Sequence, residues 1–482
     1  MYFFQFIYST FACKTIVNMN IKELYKIYQQ HPCITTDSRN CPEGSIFLAL
    51  KGEKFDGNEF AMKALGEGCS YAIISKDSDV AKSSAAAANT QLITVDDTLQ
   101  TFKDLAREHR RQFRIPIIAI TGTNGKTTTK ELVATVLQQK YNVLFTQGNF
   151  NNDVGVPKTL MRLNEEHDIA VIEMGASHPG DIKTLAETAE PTCGLITNVG
   201  RAHLQGFGSF KNVVKTKGEL YDYLSRRGES LVFINVDNER LMNILPDNVW
   251  VAPYSTDAEN VEGCTVGEVV ACNPYLKFRW RESDTNLAEK AKQEVAQDAT
   301  QTSHDATQPI WYEVQTQLIG AYNIDNMLAA IAVGLNFGVE PCDINRALEA
   351  YKPTNNRSQL TVTEKNHLVV DAYNANPSSM RAALENFQLM EGKPKMAIIG
   401  MMGELGKSSQ KEHQKIIDFI GTLDIDEVWL VGSEFKQIDS PYRKFDNVEQ
   451  VKEAIKDEQP QGRYILIKGS NSTKLFLLPE LL

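Results

Sequence analysis

Short apolar runs alternate with helical patterns over most of this 482-residue chain. Four runs in the middle of the chain lie at 117–120, 169–172, 195–197 and 231–234. Four more, near the C-terminus, end in Asp or Gly and lie at 368–371, 396–400, 428–432 and 464–469. Each run is long enough for a buried strand. Because strands that alternate with helices form parallel sheets covered by helices, we predict an α/β fold with mostly parallel sheets.

The pattern divides the chain into three predicted domains, the number that its length suggests at ~150 residues for a typical domain. The first, 19–112, has short strands and one helical stretch, at 46–50, 71–75, 91–95 and 60–66. The second, 113–353, and the third, 354–482, each contain one group of apolar runs. Within the second domain, residues 282–309 are rich in Gln, Thr, Ala and Asp. This composition indicates an insertion or flexible loop that carries no chemistry.

Charge and composition exclude several classes of partner. The net charge of −11 argues against nucleic acid or an anionic membrane as the main partner. No run of ~20 apolar residues predicts a membrane span. The first eighteen residues are apolar but lack a basic start, so we expect Met19 to begin the protein, with a membrane-directing segment as the alternative. Eight scattered cysteines without a C-x-x-C pair predict a reducing, cytoplasmic location.

The stretch 117–130 carries the clearest chemical signal. An apolar run precedes a glycine loop and the start of a helix, formed by Gly122, Thr123, Asn124, Gly125, Lys126, Thr127 and Thr128. In such a loop the backbone N–H groups cradle phosphates, the lysine reaches the β/γ oxygens and the threonine directly after the lysine holds Mg²⁺. Ile120 stands where the usual motif has its first glycine, so the match is the shorter G-x-x-G-K-T. The alternative is a glycine turn before an ordinary helix.

Two residues at strand ends are candidate metal ligands. Glu173 ends the run at 169–172, where a carboxylate in the sheet of a phosphate loop can hold Mg²⁺. His203 follows the run at 195–197 and can bind a metal or a phosphate. A solvent-exposed acid and a structural histidine are the alternatives.

Three further residues lie on predicted helices. Lys217 can neutralise charge near a triphosphate, although its sequence context favours a solvated helix lysine. Asn323 and Asn326 can read a base edge through their amides. They can equally be a helix cap and a first-turn residue.

Two loops can bind other parts of a substrate. Arg39 and Lys51 lie near glycines and can bind a diphosphate, or belong to a solvated surface. After the run at 368–371, the chain places an acid, an aromatic and amides where a ribose or a small zwitterion can bind, at Asp371, Tyr373, Asn374 and Asn376. A capped turn that enters a helix is the alternative there.

Nine segments in this order resemble the ATP-dependent Mur ligases of bacterial cell-wall synthesis, over about residues 19–482. They are TTDSR with ALKGEKFDG, TGTNGKTTTKE, GNFNNDVGVP, VIEMGASHPGDI, AHLQGFGS, KTKGELY, DAYNANPSSM, GELG and IKGSNS. The NNDVGVP and AYNANPSS forms favour the branch that adds D-Ala-D-Ala. One position departs from the family: Met401 stands where G-D-M-x-E-L-G has an acid, which puts a catalytic role for that turn in doubt.

The resemblance implies an N-terminal domain for a UDP-sugar, a central ATPase and a C-terminal Rossmann-like domain. It implies ATP and Mg²⁺ as cofactors, and UDP-MurNAc-tripeptide and D-Ala-D-Ala as substrates. A monomer without stable membrane insertion is expected. The implied reaction makes an acyl phosphate, which the dipeptide amine then attacks. Another Mur ligase, a folylpolyglutamate-synthase-type ligase or a P-loop regulatory protein are the alternatives.

Site residues follow from the resemblance by position. Lys126 and Thr127 would contact phosphate and Mg²⁺, and Glu173 and His203 a second metal. Lys217 matches a lysine that is carbamylated in several family members, which would make it a metal ligand instead of a cation. The nucleotide would also contact Asn323, Asn326, Arg357 and Asp371. The other substrates would contact Ser38, Arg39, Lys51, Asn151, Asn152, Tyr373, Asn374 and Asn376.

Overall fold

The computed structural model describes residues 16–17, 19–52, 55–83, 89–257, 263–283, 310–353 and 359–482. Two compact units share these residues. The first unit comprises residues up to Arg114 together with Asp153–Asn164 and Thr188–Glu190, and the second comprises the remainder. Among the described residues, no helix is both long and apolar enough to cross a membrane. Arg357 and nearly all of the predicted insertion at 282–309 lie outside the described residues.

The first unit is built on a sheet of five parallel strands in the order β1-β5-β4-β3-β2. These strands are β1 (Ile16–Val17), β2 (Ile34–Thr35), β3 (Ile46–Leu48), β4 (Tyr71–Ser75) and β5 (Leu92–Val95). The helices are α1 (Ile21–Gln30), α2 (Ala61–Gly66), α3 (Asp79–Lys82), α4 (Thr98–Arg111) and α6 (Gly155–Leu160). Apolar residues of α1, α4 and the sheet form a core, for example Leu24, Phe102 and Ile73, each at most 1% exposed.

A sheet of nine strands forms the first part of the second unit, in the order β14-β13-β12-β11-β10-β9-β6-β8-β7. The strands are β6 (Ile117–Thr121), β7 (Val143–Phe145), β8 (Ile169–Glu173), β9 (Cys193–Ile196), β10 (Leu231–Asn235), β11 (Trp250–Ser255), β12 (Thr265–Cys272), β13 (Tyr275–Glu282) and β14 (Tyr312–Ile319). The helices are α5 (Lys126–Leu137), α7 (Asp181–Ala189), α8 (Leu204–Phe207), α9 (Phe210–Arg227), α10 (Glu239–Met242), α11 (Ile324–Asn336) and α12 (Pro341–Ala350). Strands β6 to β12 pair in parallel, whereas β12, β13 and β14 form antiparallel hairpins.

A sheet of six strands completes the second unit, in the order β15-β16-β20-β17-β18-β19. The strands are β15 (Gln359–Val362), β16 (His367–Asp371), β17 (Lys395–Gly400), β18 (Glu427–Val431), β19 (Arg443–Phe445) and β20 (Tyr464–Lys468). The helices are α13 (Pro377–Leu389), α14 (Ser409–Ile420) and α15 (Val448–Asp457). Every pairing is parallel except that of β15 with β16. The predicted α/β fold with mostly parallel sheets is confirmed.

The buried positions explain why the apolar runs became strands. Ile117, Ile118, Ala119 and Ile120 of β6 are all 0% exposed, since β6 lies between β8 and β9 and is covered by helices. A strand that is buried on both faces needs a continuous apolar run instead of alternation. Helix α5 then buries Leu132, Val133, Val136 and Leu137, the positions that recur at helical spacing.

Candidate active site

The loop between β6 and α5 has a backbone that only glycine adopts without strain at two positions. Gly122 has φ +142°, and a Cβ there would lie 2.0 Å from Thr197 Oγ1. Gly125 has φ +78°, and a Cβ there would lie 2.5 Å from Asn326 Oδ1. Both glycines therefore let neighbouring side chains approach the loop backbone closely. The loop opens directly onto the N-terminus of α5, as a phosphate cradle requires.

Two residues that directly follow the neighbouring strand β9 hydrogen-bond to the tip of this loop. Asn124 N donates to Asn198 Oδ1 at 3.0 Å, and Asn124 O accepts from Thr197 Oγ1 at 2.6 Å. Asn198 also donates to Asn124 O from its amide at 3.1 Å. Thr197 and Asn198 have no signal in the sequence, because their role depends on β9 lying beside β6.

Lys126 bends back over the loop. Its Nζ donates to Gly122 O at 2.9 Å and to Thr123 O at 3.0 Å. The ammonium group therefore lies on the same concave backbone whose N–H groups can hold phosphate oxygens. The role of this lysine in phosphate binding stays a prediction.

Glu173 ends β8 beside the start of α5 and is 1% exposed. Its Oε1 accepts from Thr127 Oγ1 at 3.2 Å and from Asn151 Nδ2 at 2.8 Å. Its Oε2 is buried and has no hydrogen-bond partner in the structure. A buried carboxylate oxygen without a partner is costly, so its place beside a threonine hydroxyl fits a site for a hard cation.

Lys217, on α9, is 2% exposed and not solvated as its sequence context suggested. Its Nζ donates to Thr121 Oγ1 at the long distance of 3.5 Å. Burial, together with the nearby charge of Lys126, lowers the pKa of Lys217 well below its ordinary value. This amine is therefore held close to the phosphate loop in surroundings that favour its neutral form.

Asn323 and Asn326 lie at the start of α11, and their amides bond within the protein. Asn326 Nδ2 donates to Asn323 Oδ1 at 2.8 Å, and Asn323 Nδ2 donates to Ile319 O at 2.8 Å. Asn326 Oδ1 accepts from Thr129 Oγ1 at 2.9 Å. Because Asn326 also lies against Gly125, these two amides fix α11 to the phosphate loop and to the first turn of α5.

The segment after β16 meets the phosphate loop. Asn376 Nδ2 donates to Asn124 Oδ1 at 2.7 Å, while Asn376 Oδ1 caps α13 by accepting from Ser379 N at 2.9 Å. Asp371 accepts from the buried Lys468 Nζ at 2.5 Å. The anionic partner of Lys468 is therefore a carboxylate of the protein itself.

Other predicted residues of this segment and of the Asn151 loop also have contacts. Asn374 Oδ1 accepts from Ala375 N at 2.8 Å, which fixes the loop before α13. Asn151 O accepts from Gly175 N at 2.7 Å, so Asn151 is held by its backbone as well as by Glu173. Asn152 and Tyr373 each take part in interactions of the protein too.

His203 precedes α8 with φ +49°, a left-handed backbone that is uncommon outside glycine. Its Nδ1 contacts a carboxylate oxygen of Glu404, on the turn after β17. This hydrogen bond with His203 lowers the pKa of Glu404. Glu404 was not among the predicted site residues, because Met401 had put a catalytic role for that turn in doubt.

Met401 itself packs partly buried against the core of the third sheet. Among the described residues, no three His, Cys, Asp or Glu side chains form a metal-binding group.

The substrate residues predicted in the first unit are half-buried or exposed. Arg39 makes a two-pronged contact with Asp37, from Nε at 2.9 Å and from a terminal nitrogen at 2.8 Å. Lys51 lies 3.8 Å from Asp56, and Ser38 is half-buried in the turn. The guanidinium lowers the pKa of Asp37 below its usual range. Arg357 lies outside the described residues, so its predicted role stays a prediction.

Three segments of the chain match domains of one known protein family. Residues 120–334 match the Mur ligase middle domain, 356–471 match the Mur ligase glutamate ligase domain, and 32–110 match the Mur ligase family catalytic domain. The chain is similar to UDP-N-acetylmuramoyl-tripeptide–D-alanyl-D-alanine ligase of Escherichia coli (strain K12), at 34% identity over 83% of this chain and 81% of that one. It is also similar to the enzyme of the same name from Bacillus subtilis (strain 168), at 31% identity over 92% and 91% of the two chains.

A crystal structure of MurF from Acinetobacter baumannii has a TM-score of 0.78 to this chain at 28% identity, and 92% of each chain is covered. The resemblance seen in the nine sequence segments is therefore confirmed. The chain belongs to the Mur ligase family.

Proposed function

We propose that this protein is an ATP-dependent ligase that joins D-Ala-D-Ala to UDP-MurNAc-tripeptide, giving UDP-MurNAc-pentapeptide, ADP and phosphate. One observation carries the proposal. The threonine that follows the loop lysine, Thr127, bonds to a fully buried carboxylate, Glu173, whose second oxygen has no partner. The shared name of the relatives from Escherichia coli and Bacillus subtilis supports the identity of the two joined substrates.

The proposed chemistry has two steps. The terminal carboxylate of the tripeptide attacks the γ-phosphorus of ATP, the bond to the bridging oxygen breaks, and ADP leaves. The dipeptide amine then attacks the carbonyl carbon of the acyl phosphate, loses a proton, and expels phosphate as the amide forms. Lys126 and the N–H groups of residues 122–128 stabilise the charge that gathers on the transferred phosphoryl group. The protein contributes mainly position and electrostatics.

Mg²⁺ fits the donors that line this site. Thr127 offers a hydroxyl and Glu173 a carboxylate oxygen without a partner, and the family resemblance would add a ring nitrogen of His203. Bound Mg²⁺ would supply Lewis acidity toward the phosphate oxygens. Asn151 holds Glu173 in place through its amide at 2.8 Å, so Asn151 orients the carboxylate whether or not it also faces the substrate.

Lys217 supports the proposal through its protonation state. Carbamylation needs a neutral amine that attacks CO₂, forms an N–C bond and releases a proton. Burial and the charge of Lys126 favour that neutral amine. The product is an anion that would bind a cation and balance Lys126. Carbon NMR with labelled bicarbonate, compared between the wild type and Lys217→Arg, tests this step, because only a carbamate gives a lysine-dependent labelled signal.

The remaining residues take proposed positions around the nucleotide and the peptide. Asn323 and Asn326 fix α11 against the phosphate loop, beside which the base would lie. Asp371 is held by Lys468 and would bind the ribose, with Arg357 nearby. For the peptide, the first domain would hold the UDP-sugar through Ser38, Arg39 and Lys51. The amine substrate would contact residues that include Asn151, Asn152, Tyr373, Asn374 and Asn376.

The three predicted domains, 19–112, 113–353 and 354–482, would bind the UDP-sugar, ATP and the dipeptide side of the reaction respectively. The protein would act as a monomer in the cytoplasm, where ATP and nucleotide-linked sugars are available. The test is a ligation assay with UDP-MurNAc-tripeptide, ATP and a panel of amino acids and D-Ala-D-Ala, read by mass spectrometry. Pentapeptide formed only with the dipeptide is expected. ADP release at the same rate without any amine would contradict the proposal, and ligation of a different acceptor would identify another ligase.

A further inference from the structure

His203 and Glu404 form a contact between two residues that both have an uncommon backbone. His203 has φ +49° and Glu404 has φ +61°, so each non-glycine residue occupies the left-handed region. Such conformations cost free energy and persist where surrounding contacts hold them, often at functional sites. Here the side chains of the two residues meet, Nδ1 against a carboxylate oxygen. A backbone hydrogen bond joins the same two segments, since Gln205 N donates to Glu404 O at 3.2 Å.

The turn that carries Glu404 is anchored to the rest of the third sheet. Met402 N donates to Nε2 of the fully buried His413 at 2.9 Å. Met401 O accepts from Ser470 Oγ at 2.8 Å. Glu404 therefore reaches His203 from a turn that is fixed just before it, and its position depends on that sheet.

A histidine that contacts a carboxylate through Nδ1 has a defined orientation and tautomer. The carboxylate of Glu404 lies against Nδ1, so Nε2 is the ring nitrogen that is left to bind a cation. Metal-binding histidines are almost always held in this way by a carboxylate, a carbonyl or a water molecule. The other predicted metal ligand, Glu173, is held in an equivalent manner by Asn151. His203 thus has a partner that would orient its ring.

We propose that Glu404 is a positioning residue for His203, which it orients toward the metal of the nucleotide site. This inference rests on the proposed function, since it gives His203 the metal that the function requires. His203 follows β9 of the central sheet, whereas Glu404 follows β17 of the third sheet. Metal affinity is therefore linked to the docking of these two parts. If bound metal favours docking by a given factor, a change that separates the two parts weakens metal binding by that same factor.

Substitutions at Glu404 test this role by metal binding instead of turnover. The probe is Mn²⁺ with a non-hydrolysable ATP analogue, titrated into the full-length protein by calorimetry. We expect Glu404→Ala to weaken Mn²⁺ binding about 10- to 100-fold, the usual effect of removing such a partner. Glu404→Asp should recover part of the loss. The matched control is Arg201→Ala, which removes the 3.6 Å contact between Arg201 and Glu412 across the same boundary without touching the His203 ring. This control should leave Mn²⁺ affinity within about twofold of the wild type, because the Arg201 side chain is largely exposed and the buried Glu412 keeps its contact with Lys415 at 2.8 Å.

A double-variant cycle with His203→Ala decides whether Glu404 acts through His203. If Glu404 acts through His203, adding Glu404→Ala to His203→Ala causes no further loss of Mn²⁺ affinity. In electron spin echo spectra, the nitrogen modulation of bound Mn²⁺ then disappears in His203→Ala. Equal loss in both backgrounds would overturn the proposal, because Glu404 would then bind the metal itself or act on the fold. Unchanged affinity in a folded Glu404→Ala protein would also overturn it. Wild-type protein that binds no Mn²⁺–nucleotide would instead contradict the proposed function as a whole.

Discussion

Asn376 Nδ2 donates to Asn124 Oδ1 at 2.7 Å, and this bond joins the tip of the phosphate loop to the first turn of α13. The same side chain caps α13 through its oxygen. One residue therefore stabilises a helix of the third sheet and restrains the loop that would hold the triphosphate. The two roles can be separated, because they use different atoms of the amide.

Replacing Asn376 by Ser should keep the cap and remove the bond to Asn124. We expect Asn376→Ala to lose about 1 kcal/mol of unfolding free energy, as is usual for a lost N-cap, whereas Asn376→Ser should stay close to the wild type. Both variants should lower ligation turnover, since neither reaches Asn124. Urea unfolding and steady-state assays measure the two effects. Wild-type turnover in Asn376→Ser would show that the bond to Asn124 has no part in the reaction.

Gly125→Ala should abolish nucleotide binding, because the new Cβ would lie 2.5 Å from Asn326 Oδ1 in a left-handed backbone. Gly148→Ala is the matched control: its φ is also positive, at +54°, but no atom lies within 4 Å of the added Cβ. We expect Gly148→Ala to lose only about 1 kcal/mol of stability from backbone strain and to bind nucleotide normally. Equal nucleotide affinity in the two variants, measured by calorimetry, would rule out this close contact as the cause.

Glu173→Gln should separate charge from packing at the buried carboxylate. The amide oxygen can still accept from Thr127 and Asn151, so the fold should persist, and the unfolding free energy should not fall, since an uncompensated buried anion is removed. Turnover should drop by about 10²- to 10³-fold, the loss expected when a main group that stabilises the transition state is removed. Thermal unfolding and the ligation assay give the two values. Full activity in this variant would remove Glu173 from the proposed metal site.

The buried His413 predicts a pH dependence of stability. Burial lowers the pKa of His413 below 6.5, and its Nε2 must stay unprotonated to accept from Met402 N. Between the lowered pKa and 6.5 the unfolded state binds more protons than the folded state, so stability falls as the pH falls through this window. Urea unfolding at pH 7.5 and pH 5 should show a smaller pH effect in His413→Ala than in the wild type. An equal pH effect in both proteins would assign the dependence to other groups.

The sequence predicted those parts of the fold that a local pattern specifies. The fully buried strands β6 and β17 appear as continuous apolar runs, since both of their faces are covered, and the observed bounds differ from the predicted ones by one residue. The antiparallel strands β12 to β14 were not predicted. Their solvent-facing positions include exposed Val269 and polar residues, and such mixed patterns do not distinguish an outer strand from a loop.

The site residues that could be predicted are those whose chemistry is recognisable from a short local motif. Lys126, Thr127 and Glu173 lie in such motifs, and the structure brings the hydroxyl of Thr127 to the carboxylate of Glu173. Contacts between distant segments have no such signal. Asn198 bonds to Asn124 because two strands are neighbours, and Glu404 meets His203 from a turn about 200 residues away along the chain. Lys217 shows the same limit, because its burial could not be read from a charged stretch of helix.

The central claim is that the phosphate loop activates a carboxylate for amide formation. The most direct test follows ADP release and the mass of the product for wild type and Lys126→Ala, with ATP, UDP-MurNAc-tripeptide and D-Ala-D-Ala. Wild-type protein should release one ADP for each pentapeptide formed, and only when the dipeptide is present. Lys126→Ala should keep its fold, shown by circular dichroism, and form no product. Pentapeptide formation by Lys126→Ala at the wild-type rate would contradict the account.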